Sequence, residues 1–248
     1  MNFQIVSDLH IDTKEHQNYQ NLIIPVADIL ILNGDIGSLY KPKQFFKFLS
    51  YVCSNFKIVL FIFGNHEFYC HKSTNMKEMH QLKKVIYNIS KKLTNLHILD
   101  RSSVIFNDVC VVGCTLWSKF NGQLPKYIIK IPDMTTSQYN YLHKQDLKYI
   151  NHMIDYCKIN KKKLLVITHY PPLPNLSKIS NKNHKHKELY QNNLNYLLSS
   201  EFIHTWVYGH VHNNCDFITS QGTRVVGNQL GKIKDQIIDF CKNKVIKI

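Results

Sequence analysis

The chain has 248 residues, 44% of them hydrophobic and 19% charged, which suits one α/β domain with a single large core and excludes a mainly disordered chain. Its 31 Lys and Arg against 17 Asp and Glu give a formal charge of +14, which favours phosphates, nucleotides or nucleic acid as partners, with a generally basic, solvated surface as the plainer reading. The seven cysteines include no Cys-x-x-Cys pair, no leader or membrane-length apolar run is evident, and a reducing, cytoplasmic setting without a membrane partner is the expectation.

In chain order, the first apolar run, Phe3–Val6, reads as a buried strand, and Ser7-Asp8-Leu9-His10 follows it directly. Residues at i and i+2 of an extended segment point to the same side, so Asp8 and His10 are expected to address one metal ion. Taken alone, Asp-x-His is also a common surface accident. A second strand, Ile29–Leu32, runs into Asn33-Gly34-Asp35-Ile36-Gly37. Asp35 has two oxygens and could bridge two cations, or it could cap the helix expected over Pro42–Asn55.

The third strand, Ile58–Phe63, ends in Gly64-Asn65-His66-Glu67. Asn65 offers a neutral oxygen ligand and His66 a proton donor; the plainer alternative is a turn residue and a solvated neighbour. Helical spacing follows over Met76–Leu93, then a strand over Val109–Val112. A proline-containing loop spans Trp117 to Gln138, and a helix is expected over Gln138–Ile159.

The strand Leu164–Ile167 delivers His169, and a second long loop runs from Pro171 to Lys187 before helical spacing resumes over Glu188–Ser199. The strand Trp206–Tyr208 precedes Gly209-His210-Val211-His212, where two imidazoles can share a face. Alternating strands and helices imply layered sheets, and sites in such sheets lie beyond strand C-termini, where these residues fall.

Taken in order, Asp8-x-His10, Gly34-Asp35, Gly64-Asn65-His66-Glu67, His169 and Gly209-His210-x-His212 resemble the calcineurin-like metallophosphoesterase superfamily, in its small single-domain phosphohydrolase type. The resemblance covers residues 8 to 212. It implies an α/β fold in which two mixed β-sheets pack face to face as a sandwich flanked by helices, a four-layer αββα arrangement, with 1–248 as one domain. It implies that Asp8, His10 and His212 hold one divalent ion, that Asp35 bridges to a second, and that Asn65, His169 and His210 complete the second site. Manganese is the first expectation, with iron, zinc or nickel admitted by the same ligands.

His66 is then implied to sit, protonated, near the leaving-group oxygen. The implied reaction is hydrolysis of a phosphomonoester or phosphodiester, nucleotides and cyclic nucleotides included, by in-line attack of a metal-bridging hydroxide. Many relatives carry an acidic residue soon after Gly-Asp to orient that histidine; here Ile36-Gly37-Ser38-Leu39 has none, and Asp12 or Glu67 is the candidate substitute. Tyr69, Tyr170 and Arg224 are candidate substrate contacts. The lysines and histidines of 178–187 form either a basic rim or a solvated loop. A DNA- or RNA-cleaving nuclease is the enzymatic alternative and a non-catalytic scaffold of the same fold the other; oligomeric state is not legible.

Overall fold

A computed structural model describes residues 1–71, 76–176 and 185–248; most of the basic run read over 178–187 lies outside the described residues. Among these, eleven strands form two sheets. The first has the order β11-β1-β2-β3-β4, with β1 at Asn2–Val6, β2 at Ile29–Asn33, β3 at Ile58–Ile62, β4 at Leu96–Ile98 and β11 at Val245–Lys247. The second has the order β5-β6-β7-β8-β10-β9, with β5 at Ser102–Phe106, β6 at Val109–Cys114, β7 at Lys163–Thr168, β8 at Thr205–Tyr208, β9 at Asp216–Ile218 and β10 at Arg224–Gly227. Both sheets are mixed: their central pairs run parallel, and β11, β5 and β9 add antiparallel edges.

The alternation of strand side chains makes the layers. Phe3, Ile5, Ile31, Leu60 and Ile62 of the first sheet meet Val109, Val111, Leu165, Ile167 and Val207 of the second in one buried cluster between them. The intervening residues Leu30, Leu32, Val59 and Phe61 face outward onto helices α1 (Pro42–Asn55) and α2 (Met79–Ser90), through Phe45, Phe48, Leu82 and Ile86. On the far side Cys110, Val112, Leu164 and Val166 pack on Ile150, Met153, Ile154 and Cys157 of α3, Thr136–Ile159. Strands buried on both faces read as unbroken apolar runs, and this is why β2 and β3 stand out in the sequence. The expected αββα sandwich is the observed fold.

Helix starts follow local chemistry: Pro42 opens α1, where its missing N–H costs nothing, and Thr135 caps α3 by accepting from the Gln138 N–H at 3.2 Å. The helix expected over Glu188–Ser199 does not form. That stretch makes short 3-10 turns at Lys187–Tyr190 and Asn195–Leu197. Between them the backbone N–H groups of Asn192 and Leu194 bond to the Pro171 and Pro172 carbonyls, and the Asn192 amide also donates to Pro171. These tertiary bonds outweigh the helical spacing. No helix among the described residues is long and apolar enough to cross a membrane.

Candidate metal centre

The C-terminal ends of β1, β2 and β3 lie side by side in one sheet, and those of β7 and β8 in the other. The two rims are tied at Asn33, whose side-chain amide donates to the Thr168 carbonyl at 3.1 Å and whose own carbonyl accepts from His169 Nδ1 at 3.0 Å. Five loops therefore meet at one edge of the sandwich.

Asp8 and His10 do converge, though not as an extended segment would arrange them. Their φ values are 55° and 44°, and Asp35, His210 and His212 follow suit at 51°, 73° and 47°. Left-handed backbone is uncommon outside glycine, though Asp and His adopt it more readily than most, and it costs roughly 1–3 kcal/mol each, so the surroundings must favour it. The loops zip together to do so: Asp8 N–H donates to the Gly34 carbonyl and His10 N–H to the Asp35 carbonyl, both at 3.0 Å, with Ile11 N–H on Ile36 at 2.9 Å. At Gly64 a Cβ would collide with the Asp35 carboxylate, and at Gly209 with Ser7 Oγ and Asp8, so these two glycines are dictated by close approach.

Ligand-capable atoms gather in two groups, each within 4.8 Å: Asp8, His10 and His212, and Asp35, His169 and His210. In the first, His212 Nε2 lies 3.2 Å from both His10 Nε2 and Asp8 Oδ1. In the second, His169 Nε2 lies 3.3 Å from Asp35 Oδ1 and 3.1 Å from Asn65 Oδ1. His10, Asp35 and His66 form an overlapping third group that joins the two.

The donor set fits divalent cations. The outward nitrogens are engaged: His169 Nδ1 with Asn33, His212 Nδ1 with Asp235 Oδ2 at 2.5 Å, and His210 Nε2 with the Leu189 carbonyl at 3.2 Å. Each of these imidazoles thus turns its other ring nitrogen inward, His169 and His212 through Nε2 and His210 through Nδ1, where loss of a proton exposes a lone pair to a cation. Two imidazole nitrogens facing each other across 3.2 Å beside a carboxylate are a convergence of acceptors that a cation satisfies.

A proton competes with a cation for the inward nitrogens of His169 and His212. Burial opposes charge on His169 and His212, yet Asp35 and Asp8 around the first, and Asp235 and Asp8 around the second, hold each at about 9. Burial, aided by nearby imidazoles, holds His210 at about 3 and keeps His10 well below its ordinary value. Burial resists ionisation of Asp35 too, but His169 and His66 hold its carboxyl well below the usual range.

Glu67, fully buried, does not orient His66. Its carboxylate accepts from the backbone N–H groups of Ile36 at 2.7 Å, Gly64 at 2.8 Å and Asp35 at 3.0 Å, locking together the two loops that carry Asp35 and Asn65. Burial and the Asp35 charge push it up to about 8. His66 instead packs against the rings of Tyr69 at 4.5 Å and His10 at 4.8 Å, with its Nε2 4.0 Å from Asp35 Oδ2 and 3.5 Å from Lys232 Nζ. Burial, against the pull of Asp35 and with Lys232 adding to it, holds His66 at about 4.

Asp35, Asn65, His66, His210 and His212 line a cavity of about 540 Å³, while Asp8, His10 and His169 sit buried behind it. Of the three candidate substrate contacts only Tyr69 reaches this cavity. Tyr170 is fully buried, stacked under His210 with centroids 4.0 Å apart and its hydroxyl on Tyr139, so it is a packing residue. Arg224 begins β10, at the strand end opposite the site, and is held there by two bonds of 2.8 and 2.9 Å to Asp216. Sequence reasoning missed Lys232 and Asp235, which stand after the last motif in a turn without periodicity, and Tyr190, which also stacks on His210 with centroids 5.6 Å apart.

The sequence profile of the calcineurin-like phosphoesterase family matches residues 1–214. An uncharacterised protein of Acanthamoeba polyphaga mimivirus is 24% identical over 91% of this chain and 89% of its own length. Among solved structures, the phosphopantetheinyl hydrolase of Mycobacterium tuberculosis superposes with a TM-score of 0.76 at 12% identity, covering 99% of this chain and 95% of that one. A dimetal phosphatase from Danio rerio gives 0.56 at 13% identity over 92% and 86%.

Proposed function

Because the chain belongs to the calcineurin-like phosphoesterase family and is a metal-dependent hydrolase of phosphoester bonds, we propose roles for its site residues and a class of substrate. Asp8, His10 and His212 hold one divalent cation; Asn65, His169 and His210 hold the other, with Asp35 between them. The substrate is a small phosphorylated molecule, a phosphomonoester or a phosphodiester such as a nucleotide. The observation that carries this reading is the pair of three-residue clusters opening on one cavity of about 540 Å³, within the range of small-molecule sites.

Bound there, two divalent cations, manganese first among them, supply Lewis acidity that neutralises phosphoryl charge and lowers the pKa of water. The protein's part is to keep the centre electropositive. Only Asp8 and Asp35 bring negative charge to it, and Asn65 contributes an amide oxygen where a carboxylate would weaken attraction for phosphate. Glu67 and Asp235 fix the ligand loops from outside, and His66, at the edge of both clusters, meets the departing oxygen. Tyr69, Tyr127 and Tyr190 on the cavity wall suit a base or another flat group.

Metal analysis followed by assays on generic phosphomonoesters, phosphodiesters and nucleotides tests this reading, with Asp35→Asn as control. Two metals per chain, turnover restored by manganese and its loss in the variant are expected. Metal-free, inactive wild-type protein would sink it, and salt-sensitive cleavage of single-stranded DNA in preference to nucleotides would shift it to the nuclease alternative.

A further inference from the structure

The cavity is lined by three lysines of unequal standing. Lys130 and Lys234 are exposed, where solvent and salt screen them, whereas Lys232 is half-buried and reaches to 3.5 Å from His66 Nε2. Among the described residues none of the three enters an ion pair. An anion in the cavity would meet in Lys232 an ammonium whose polar side-chain neighbour is an imidazole, with no carboxylate of the described residues within ion-pair distance.

The position of Lys232 is built rather than incidental. Leu230 and Gly231 N–H groups donate to the Ser7 and Asp8 carbonyls, each at 3.1 Å, and Gln229 Oε1 accepts from His212 N–H at 2.7 Å. The Lys232 N–H itself donates to Asp235 Oδ2 at 2.8 Å, the same oxygen that receives the His212 Nδ1 proton. The turn that presents Lys232 is therefore bolted to ligand loops of both sheets. It lies beyond residue 214, outside the stretch that the family profile matches.

We propose that Lys232 is a catalytic residue of this site: its ammonium contacts the substrate's phosphoryl oxygens beside His66 and tilts the enzyme toward phosphomonoester dianions over phosphodiester monoanions. The proposal rests on the phosphoesterase reading above. Coulomb attraction scales with ligand charge, so a fixed cation at the phosphoryl group favours the dianion, and a charge-assisted hydrogen bond of this kind is worth roughly 10–100-fold in rate or affinity.

The experiment compares metal-loaded wild type with Lys232→Met and Lys232→Arg. It measures metal content, melting temperature, kcat/KM on one phosphomonoester and one phosphodiester, and the Kd for inorganic phosphate by calorimetry. With both metals retained, Lys232→Met should lose about 10–100-fold on the monoester and only the square root of that, about 3–10-fold, on the diester, weaken phosphate binding about 10-fold, and be rescued in binding by Lys232→Arg. Equal losses on both esters, loss of metal, or unchanged phosphate affinity would overturn the proposal. Should the wild type hydrolyse neither ester, the phosphoesterase reading falls, while the phosphate titration still decides whether Lys232 binds the anion.

Discussion

Replacing Glu67 by Gln changes one oxygen to an amide and nothing in volume, so it isolates the bonds that this side chain accepts. In one amide orientation the new NH2 group faces the Asp35 and Gly64 N–H donors, and two buried bonds are lost. Flipped, it faces Ile36 N–H, whose 2.7 Å bond is then lost together with the long 3.5 Å contact from Gly37 N–H. The cheaper orientation prevails, leaving one buried donor unpaired at about 1–3 kcal/mol. In a domain of this size each kcal/mol moves Tm by about 2–4 °C, so a fall of about 2–12 °C is expected. The loosened loops carry Asp35 and Asn65, and metal affinity should fall about 10–100-fold as well. A thermal melt in chelator and a metal titration, both run above pH 8 where Glu67 is ionised and accepts through both oxygens, read the two effects separately. If Tm stays within about 1 °C and metal affinity is unchanged, Glu67 is not the staple described.

Asp235→Asn keeps an acceptor for His212 Nδ1 but removes its charge; about 10-fold weaker binding of one metal of the two is expected, read by titration, with the other undisturbed. His66→Ala should cut turnover by about 10²–10⁴ with metal content intact, and unchanged turnover would refute its role. Arg224→Ala should leave turnover unaltered, since that side chain serves Asp216. Arg224 and Lys244 hold the Asp216 carboxyl down at about 2, so the stability this contributes is present above the ordinary carboxyl pKa and is lost as pH falls toward 2. The group is partly exposed, so wild type and variant should differ by under about 1 kcal/mol near neutral pH and converge in melts below about pH 3. Chelation should lower the wild-type Tm: at a metal concentration 100 times its Kd, binding to the folded chain alone adds about 2.7 kcal/mol, or about 5–11 °C.

The layers of the fold were legible because strands buried on both faces, such as β2 and β3, write unbroken apolar runs, and because each run ends in a polar block. The eight motif positions were legible for the same reason: Asp8, His10, Asp35, Asn65, His66, His169, His210 and His212 all stand within a few residues after a strand. Their local geometry was not. The sequence expectation used the period of an extended strand for Asp8 and His10, whereas both residues are left-handed, a conformation set by hydrogen bonds to a loop 26 residues away. Arg224 was misplaced because its distance from the last histidine along the chain is short while β10 carries it to the opposite end of the sheet. Lys232 and Asp235 left no trace for a complementary reason: tertiary bonds, and no periodic pattern, bring them to the site.

Each candidate cation would join the two sheets. In the first cluster Asp8 and His10 come from the first sheet and His212 from the second; in the other, Asp35 and Asn65 face His169 and His210. A cation in either cluster is thus a cross-link across the sandwich edge, placed where five left-handed residues store strain of roughly 1–3 kcal/mol apiece. Inter-loop hydrogen bonds, Glu67 and the turn around Lys232 bear that strain, so the backbone itself fixes the positions of the ligands. That support has a chemical consequence. Ligands held by the backbone resist collapse onto the cation, and a centre that keeps its shape can hold open a side for phosphate. The open side here is the cavity that His66, Tyr69 and Lys232 share.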